Sequence, residues 1–314
     1  MQTLCEKRGK LMKLETIQNK IILNKEEKQP YFYLIADGIG IEKLSQMLWM
    51  HDDFTRMLFD ENRASFEVLK LSPYLIQLSN ATKEIAEKLI TEYYGKHTLL
   101  FIYSHVEIEA LSEHLKSHVI YEMQENEKKE NVYVAFYDPR VLPSFLEALE
   151  EHEKEEFLSP FVALCAEDER DTTNLKIFKG KGLRDIANYN QNELRQLTSL
   201  HIEKLESYEE QRSYFKMAKS LKEIYPNELH AYSLDMLEQI AKERTAKMKA
   251  YGLDKYNQHF QLFAWEVFYG EDYEKNDSSG VLSEILQSSL SSSEKFKKYK
   301  ETFTKYYSIG DEAS

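Results

Sequence analysis

Three polar side chains stand where apolar runs of strand length stop: Asp37 after "YFYLIA", Ser104 after "HTLLFIY" and Asp138 after "VYVAFY". In parallel α/β sheets ligands gather at such strand ends. A catalytic site can be written from them, with the carboxylates as acid and base or as metal ligands and Ser104 or a nearby histidine assisting. That chemistry would be hydrolytic or metal-dependent. The local patterns argue for plainer roles. Ser104 lacks the G-x-S-x-G elbow that exposes a nucleophile. Asp37 reads as a turn residue and Asp138 as a helix cap. "HLKSH" puts His114 and His118 on one helical face, a spacing able to hold a metal, but H-E-x-x-H is absent and a solvated helix end suffices. "DGIG" offers Gly38 and Gly40 after a strand, yet Lys43 fills the third glycine position of a dinucleotide fingerprint. No catalytic residue, metal ligand or cofactor site is assigned, and the residues read as non-enzymatic.

The stretch "VYVAFYDPRVL" at 132–142 holds the least ordinary residue. Its first half has strand character. Pro139 cannot donate to a sheet ladder, so the strand must stop there. Asp138 then caps a helix, with Pro139 in its first position. "RVLPSFLEALEEHEKEEF" continues as one helix with Val141, Leu142, Phe145, Leu146 and Leu149 on its apolar face. Arg140 is a cation in a first turn, opposed by the helix dipole by a few tenths of a kcal/mol, on the order of 0.3. It therefore needs a carboxylate, and Asp37 at another strand end is the leading candidate.

These residues need elements to hold them. The chain has 314 residues, 42% apolar and 30% charged, with 21 Tyr and 16 Phe, enough for a sizeable core. Strands read at 31–36, 72–78, 97–104, 161–167 and 174–180, with helices at 41–49, 82–95 and 106–118. "VIYEMQ" and "VYVAFYD" flank the charged turn "ENEKKEN" as a hairpin. The expected fold is an α/β domain with a mixed sheet flanked by helices over 30–182, followed by an all-α domain over 183–270. Residues 1–29 read as a helical extension, and 271–314 as a flexible segment with a terminal helix. A net charge of −13 disfavours nucleic acid and anionic membranes. Cys5 and Cys165 show no disulfide or metal pattern. Without a secretory signal or a long apolar run, a soluble cytoplasmic protein is expected.

"YFYLIADG", "LSPYLIQLS", "LLFIYSHVEIEALSEHLKSH" and "FYDPRVLPSFLEAL" occur in an order that resembles the type VI secretion adaptors, or effector chaperones. That family is built on a conserved domain long labelled as of unknown function. The resemblance spans about 30–182, and its most specific element is the F-Y-D-P-R-V-L block, followed by a helix and the Ser159-Pro160 turn. It implies a chaperone that binds a toxic effector in the bacterial cytoplasm, in the setting of interbacterial competition. The adaptor would help load that effector onto the VgrG spike. Asp37, Asp138, Pro139 and Arg140 would then be the structural or partner-binding motif. Exposed members of Tyr251–Tyr273, notably Tyr256, Phe260 and Trp265, would contact the effector through the helical part.

Overall fold

The apolar run Tyr31–Ala36 forms β1 at the heart of a six-stranded sheet. A strand sends successive side chains to opposite faces. Tyr33 and Ile35 enter one buried core, whereas Phe32, Leu34 and Ala36 enter a second on the other side. Both faces are covered, which is why the run is continuously apolar. The computed structural model describes residues 30–60, 62, 64–125, 128–184, 194–271 and 273–307. The expected 1–29 extension and Cys5 lie outside the described residues.

The other strands of this sheet are β2 (Thr55–Met57), β3 (Tyr74–Gln77), β4 (Leu99–Ser104), β7 (Phe161–Glu167) and β8 (Leu175–Lys179), in the order β2-β3-β1-β4-β7-β8. Every neighbouring pair is antiparallel. Helices α1 (Leu44–Leu48) and α3 (Lys83–Tyr93) pack on the second core. Short α2 (Phe66–Leu69) and α4 (Ile108–Lys116) serve the first. The strand–helix–strand signature of β3, α3 and β4 is real, because both strands run opposite to β1 and hence alongside each other. β1 lies between them in the reverse sense.

A separate three-stranded sheet is mixed. β5 (Ile120–Glu125) pairs antiparallel with β6 (Lys128–Tyr133) and parallel with β9 (Arg195–Leu197). The expected hairpin is thus shifted. The charged "KKENVY" is the strand, as an edge strand tolerates, and Lys129 pairs with Glu122 at 2.8 Å. Residues 134–141 form no strand and turn from 136 onward, with Val134, Phe136 and Tyr137 apolar because they are buried. The helix after Asp138 also differs from expectation. It begins at Leu142 and is broken into α5 (Leu142–Ala148) and α6 (Glu151–Leu158). The break is local: Leu149 turns extended, and Glu150 and Glu153 form a reciprocal capping box.

The chain divides into two units at Leu205/Glu206 rather than at 182/183. Residues 194–205 belong with the first because β9 completes the small sheet and Leu197 enters its core. Arg195 also meets Glu156 at 2.6 Å, and His201 meets Glu153 at 3.0 Å. The acidic run "EEHEKEEF" is therefore partly clasped by basic side chains.

The second unit is helical: α7 (Ser199–Ile224, entering from the first unit), α8 (Leu234–Ala250), α9 (Tyr256–Tyr269), α10 (Val281–Gln287) and α11 (Ser292–Tyr307). Tyr214, Met217, Leu221, Leu237 and Phe263 fill one core. Met248, Leu262, Leu282, Leu286, Tyr299 and Phe303 fill another. The expected flexible segment after 270 is thus packed over 273–307. Its serines serve contacts: Ser292 donates to Asp254 and to Gln258. Arg244 is fully buried on α8 and meets Glu266 at 3.0 Å and Glu274 at 3.1 Å.

Candidate functional site

Strand direction decides which polar residues meet. Ala36 pairs with Leu99, whereas Tyr31 pairs with Ser104. Asp37 and Ser104 therefore stand at opposite ends of the sheet, about 20 Å apart at ~3.4 Å per residue. Ser104 is fully buried, donates to the Pro160 carbonyl at 2.7 Å and accepts from Val106 N at 3.1 Å. It holds the Ser159-Pro160 turn. The trio Asp37, Ser104 and Asp138, which the alternative enzymatic reading would need in one pocket, is not assembled.

Asp37 and Asp138 do share a neighbourhood. Asp37 closes the "DGIG" turn, accepting from Ile39 N at 3.0 Å and Gly40 N at 3.2 Å. Its own N–H donates to the Thr98 carbonyl at 2.9 Å. A Cβ on Gly38 would come 2.2 Å from the Ser72 carbonyl oxygen, and one on Gly40 would come 2.3 Å from Thr98 Cγ2. The glycines serve close backbone packing. Asp138 closes the next turn rather than capping a helix, accepting from Arg140 N at 2.8 Å. It also grips the guanidinium: Arg140 Nε donates at 2.9 Å and Nη2 at 2.6 Å. Arg140 thus has the expected carboxylate partner, but the described bonds run to Asp138 two residues away, not to Asp37. Pro139 between them is buried and fixes the turn.

Glu167 completes the cluster and escaped the sequence reading. β7 runs antiparallel to β4, so its end lies at the Asp37 end of the sheet. Glu167 is 1% exposed, and accepts from Gly95 N and His97 N at 2.9 Å each. Burial pushes its carboxyl up to about 7, against those two N–H groups; Asp138 adds to the rise and Arg140 opposes it. Burial also raises Asp37, opposed by the Ile39 and Gly40 amides, with Asp138 adding to the rise and Arg140 opposing it. Burial raises the buried Tyr137 hydroxyl, and the charges of Asp37 and Asp138 raise it further. The only sequence signal for Glu167 is an acid ending an apolar strand. His97, which adopts a left-handed φ of 59°, gave none.

His114 and His118 do not form the solvated helix end that their spacing suggested. Both are buried, with rings 5.0 Å apart. His114 Nε2 meets the Phe157 carbonyl and His118 Nδ1 the Tyr121 hydroxyl, each at 2.9 Å. Burial lowers His114 to about 4 and His118 well below the ordinary value. No group of three or more metal-binding side chains occurs among the described residues.

The three aromatic candidates of the helical unit separate. Trp265 stacks on Phe303 at 3.9 Å and belongs to the packed interior. Phe260 is partly buried against the α7–α8 core. Tyr256 is 46% exposed over Phe260.

The molecule is thus a two-sided antiparallel sheet, with a charged Asp–Arg turn at one end, joined in sequence to a helical unit. Residues 32–156, from β1 into α6, match the model of a domain of unknown function (DUF4123). No curated protein and no solved structure matches the chain. Among the described residues no helix is long and apolar enough to cross a membrane.

Proposed function

We propose that the chain is a non-enzymatic adaptor of a type VI secretion system. It binds a toxic effector in the bacterial cytoplasm and helps load it onto the VgrG spike. The observation that carries this reading is the match over residues 32–156, the stretch that contains the F-Y-D-P-R-V-L block. The geometry supports it. Asp138 holds Arg140 as a rigid fork while the Arg140 side chain stays 40% exposed, so a partner's carboxylate can approach a preset guanidinium. Ser104, at the far end of the sheet and bonded to backbone, supports a non-catalytic reading. The sheet unit suits a partner shared by many systems, and the helical unit suits a particular toxin. Affinity purification of the chain from its native cell is the test. Co-purification of a toxin and a spike protein is expected; recovery of neither overturns the proposal.

A further inference from the structure

The C-terminal tips of α7 and α9 carry partly exposed aromatic surface, of which Tyr269 also packs on Tyr273 and Phe303 of the second helical core. Tyr225 directly follows α7, its N–H bonded to the Leu221 carbonyl, and Phe268 and Tyr269 end α9. Leu221 and Phe263 share one core, so the two tips emerge side by side. The Tyr225 and Phe268 rings meet edge to face at 4.9 Å. Yet Tyr225 is 39% exposed, Phe268 41%, Tyr269 45% and the adjacent Ile224 57%. Clustered exposed aromatics of this kind mark binding surfaces, where such side chains carry much of the energy.

Charge at the tips says what fits. The last carbonyls of a helix lack intrahelical partners and carry partial negative charge. Two such ends come together here. α9 has no basic residue in its last turn, and the Lys222 ammonium of α7 donates to the Tyr232 carbonyl. Glu223, Glu228 and Glu271, all exposed, flank the aromatic residues in the chain. The ring faces themselves attract cations. We propose that the paired tips of α7 and α9 dock a cationic amphipathic segment of a partner protein, an apolar stripe bordered by lysine or arginine. That such a partner is a secretion effector rests on the adaptor reading; the chemistry of the surface does not.

The test uses the full chain and a fluorescent synthetic amphipathic helix with leucines on one face and lysines on the other. A leucine–glutamate helix of the same pattern is the control. Anisotropy titration should show tighter binding of the lysine helix. The double variant Tyr225→Ser/Phe268→Ser should weaken it about tenfold or more. Glu223→Lys/Glu271→Lys, which leaves no cavity, should weaken it as well, and Met236→Ser at an exposed site on α8 should not. Equal affinity for the two helices, or for the parent and both double variants, overturns the inference. So does a dimer in sedimentation that Phe268→Ser disperses, because a second copy then covers the surface. If toxin and spike co-purify while the lysine helix does not discriminate, this inference fails alone; the converse result fails only the adaptor reading.

Discussion

Arg140 is held as a fork, not as a point charge. Nε and Nη2 both donate to the Asp138 carboxylate, a geometry an ammonium cannot reproduce. Arg140→Lys should therefore cost nearly as much stability as Arg140→Ala, about 1 kcal/mol for a half-exposed pair. Urea midpoints of the two variants check this; a lysine variant matching the parent contradicts it. The buried titratable groups pull in opposite directions. His114 and His118 have folded values below the ordinary 6.5, so the unfolded chain takes up protons first as pH falls. Their contribution is complete above about pH 6.5 and is lost toward pH 4. His118→Phe, which also removes a buried Nε2 without a partner, should flatten this acid slope by up to about 1.4 kcal/mol per pH unit. Glu167 is the reverse case. Its folded value of about 7 lies above the ordinary 4.5, so its contribution is full at low pH and declines as pH rises between those values. Relative to Glu167→Gln, the parent should lose stability from pH 5 to pH 8. A parallel pair of pH–stability curves would refute that assignment.

Among the elements, Arg244 makes the most exacting connection, tying α8 to Glu266 on α9 and to Glu274 beyond it. Lys247 joins the same Glu274 carboxylate. Arg244→Met leaves two largely buried carboxylates without their guanidinium and should cost about 3–5 kcal/mol. Chemical denaturation measures it; a loss under 1 kcal/mol, on the order of a surface pair, would mean the carboxylates find water. Nothing in "AKERTAKMK" marks Arg244 as buried, because its partners lie far along the chain. Legibility elsewhere followed the same rule. β1 and β7 were readable because both faces are buried and the runs are apolar, in β7 as far as the terminal Glu167. β6 was not, because an edge strand can carry charges, and the apolar "VAFY" beside it is buried without being a strand. Strand direction leaves no trace in residue periodicity. Asp37 could be picked out as a turn residue, Asp138 as a helix cap and Arg140 as a cation needing a carboxylate, whereas their association with Glu167, and the exclusion of Ser104, required knowing that β1 and β4 run oppositely.

At the scale of the whole molecule, the unit boundary matters for any dissection. A chain ending at Gly182 lacks β9, Leu197, Arg195 and His201, all of which serve the first unit. A chain ending at Leu205 keeps them. Residues 30–205 should give a cooperative thermal transition, and residues 30–182 a lower midpoint by several degrees, with loss of order reported by circular dichroism. Equal melting of the two would show that β9 contributes nothing. The parallel pairing of β5 with β9 has one more consequence, in time rather than in energy. Glu122 and Gln196 meet across 74 positions of chain. At roughly 5–20 residues per second on the ribosome, several seconds separate their synthesis. The six strands of the main sheet have all been synthesised by then, so the nascent unit waits with one flank of β5 unzipped until its last short strand arrives.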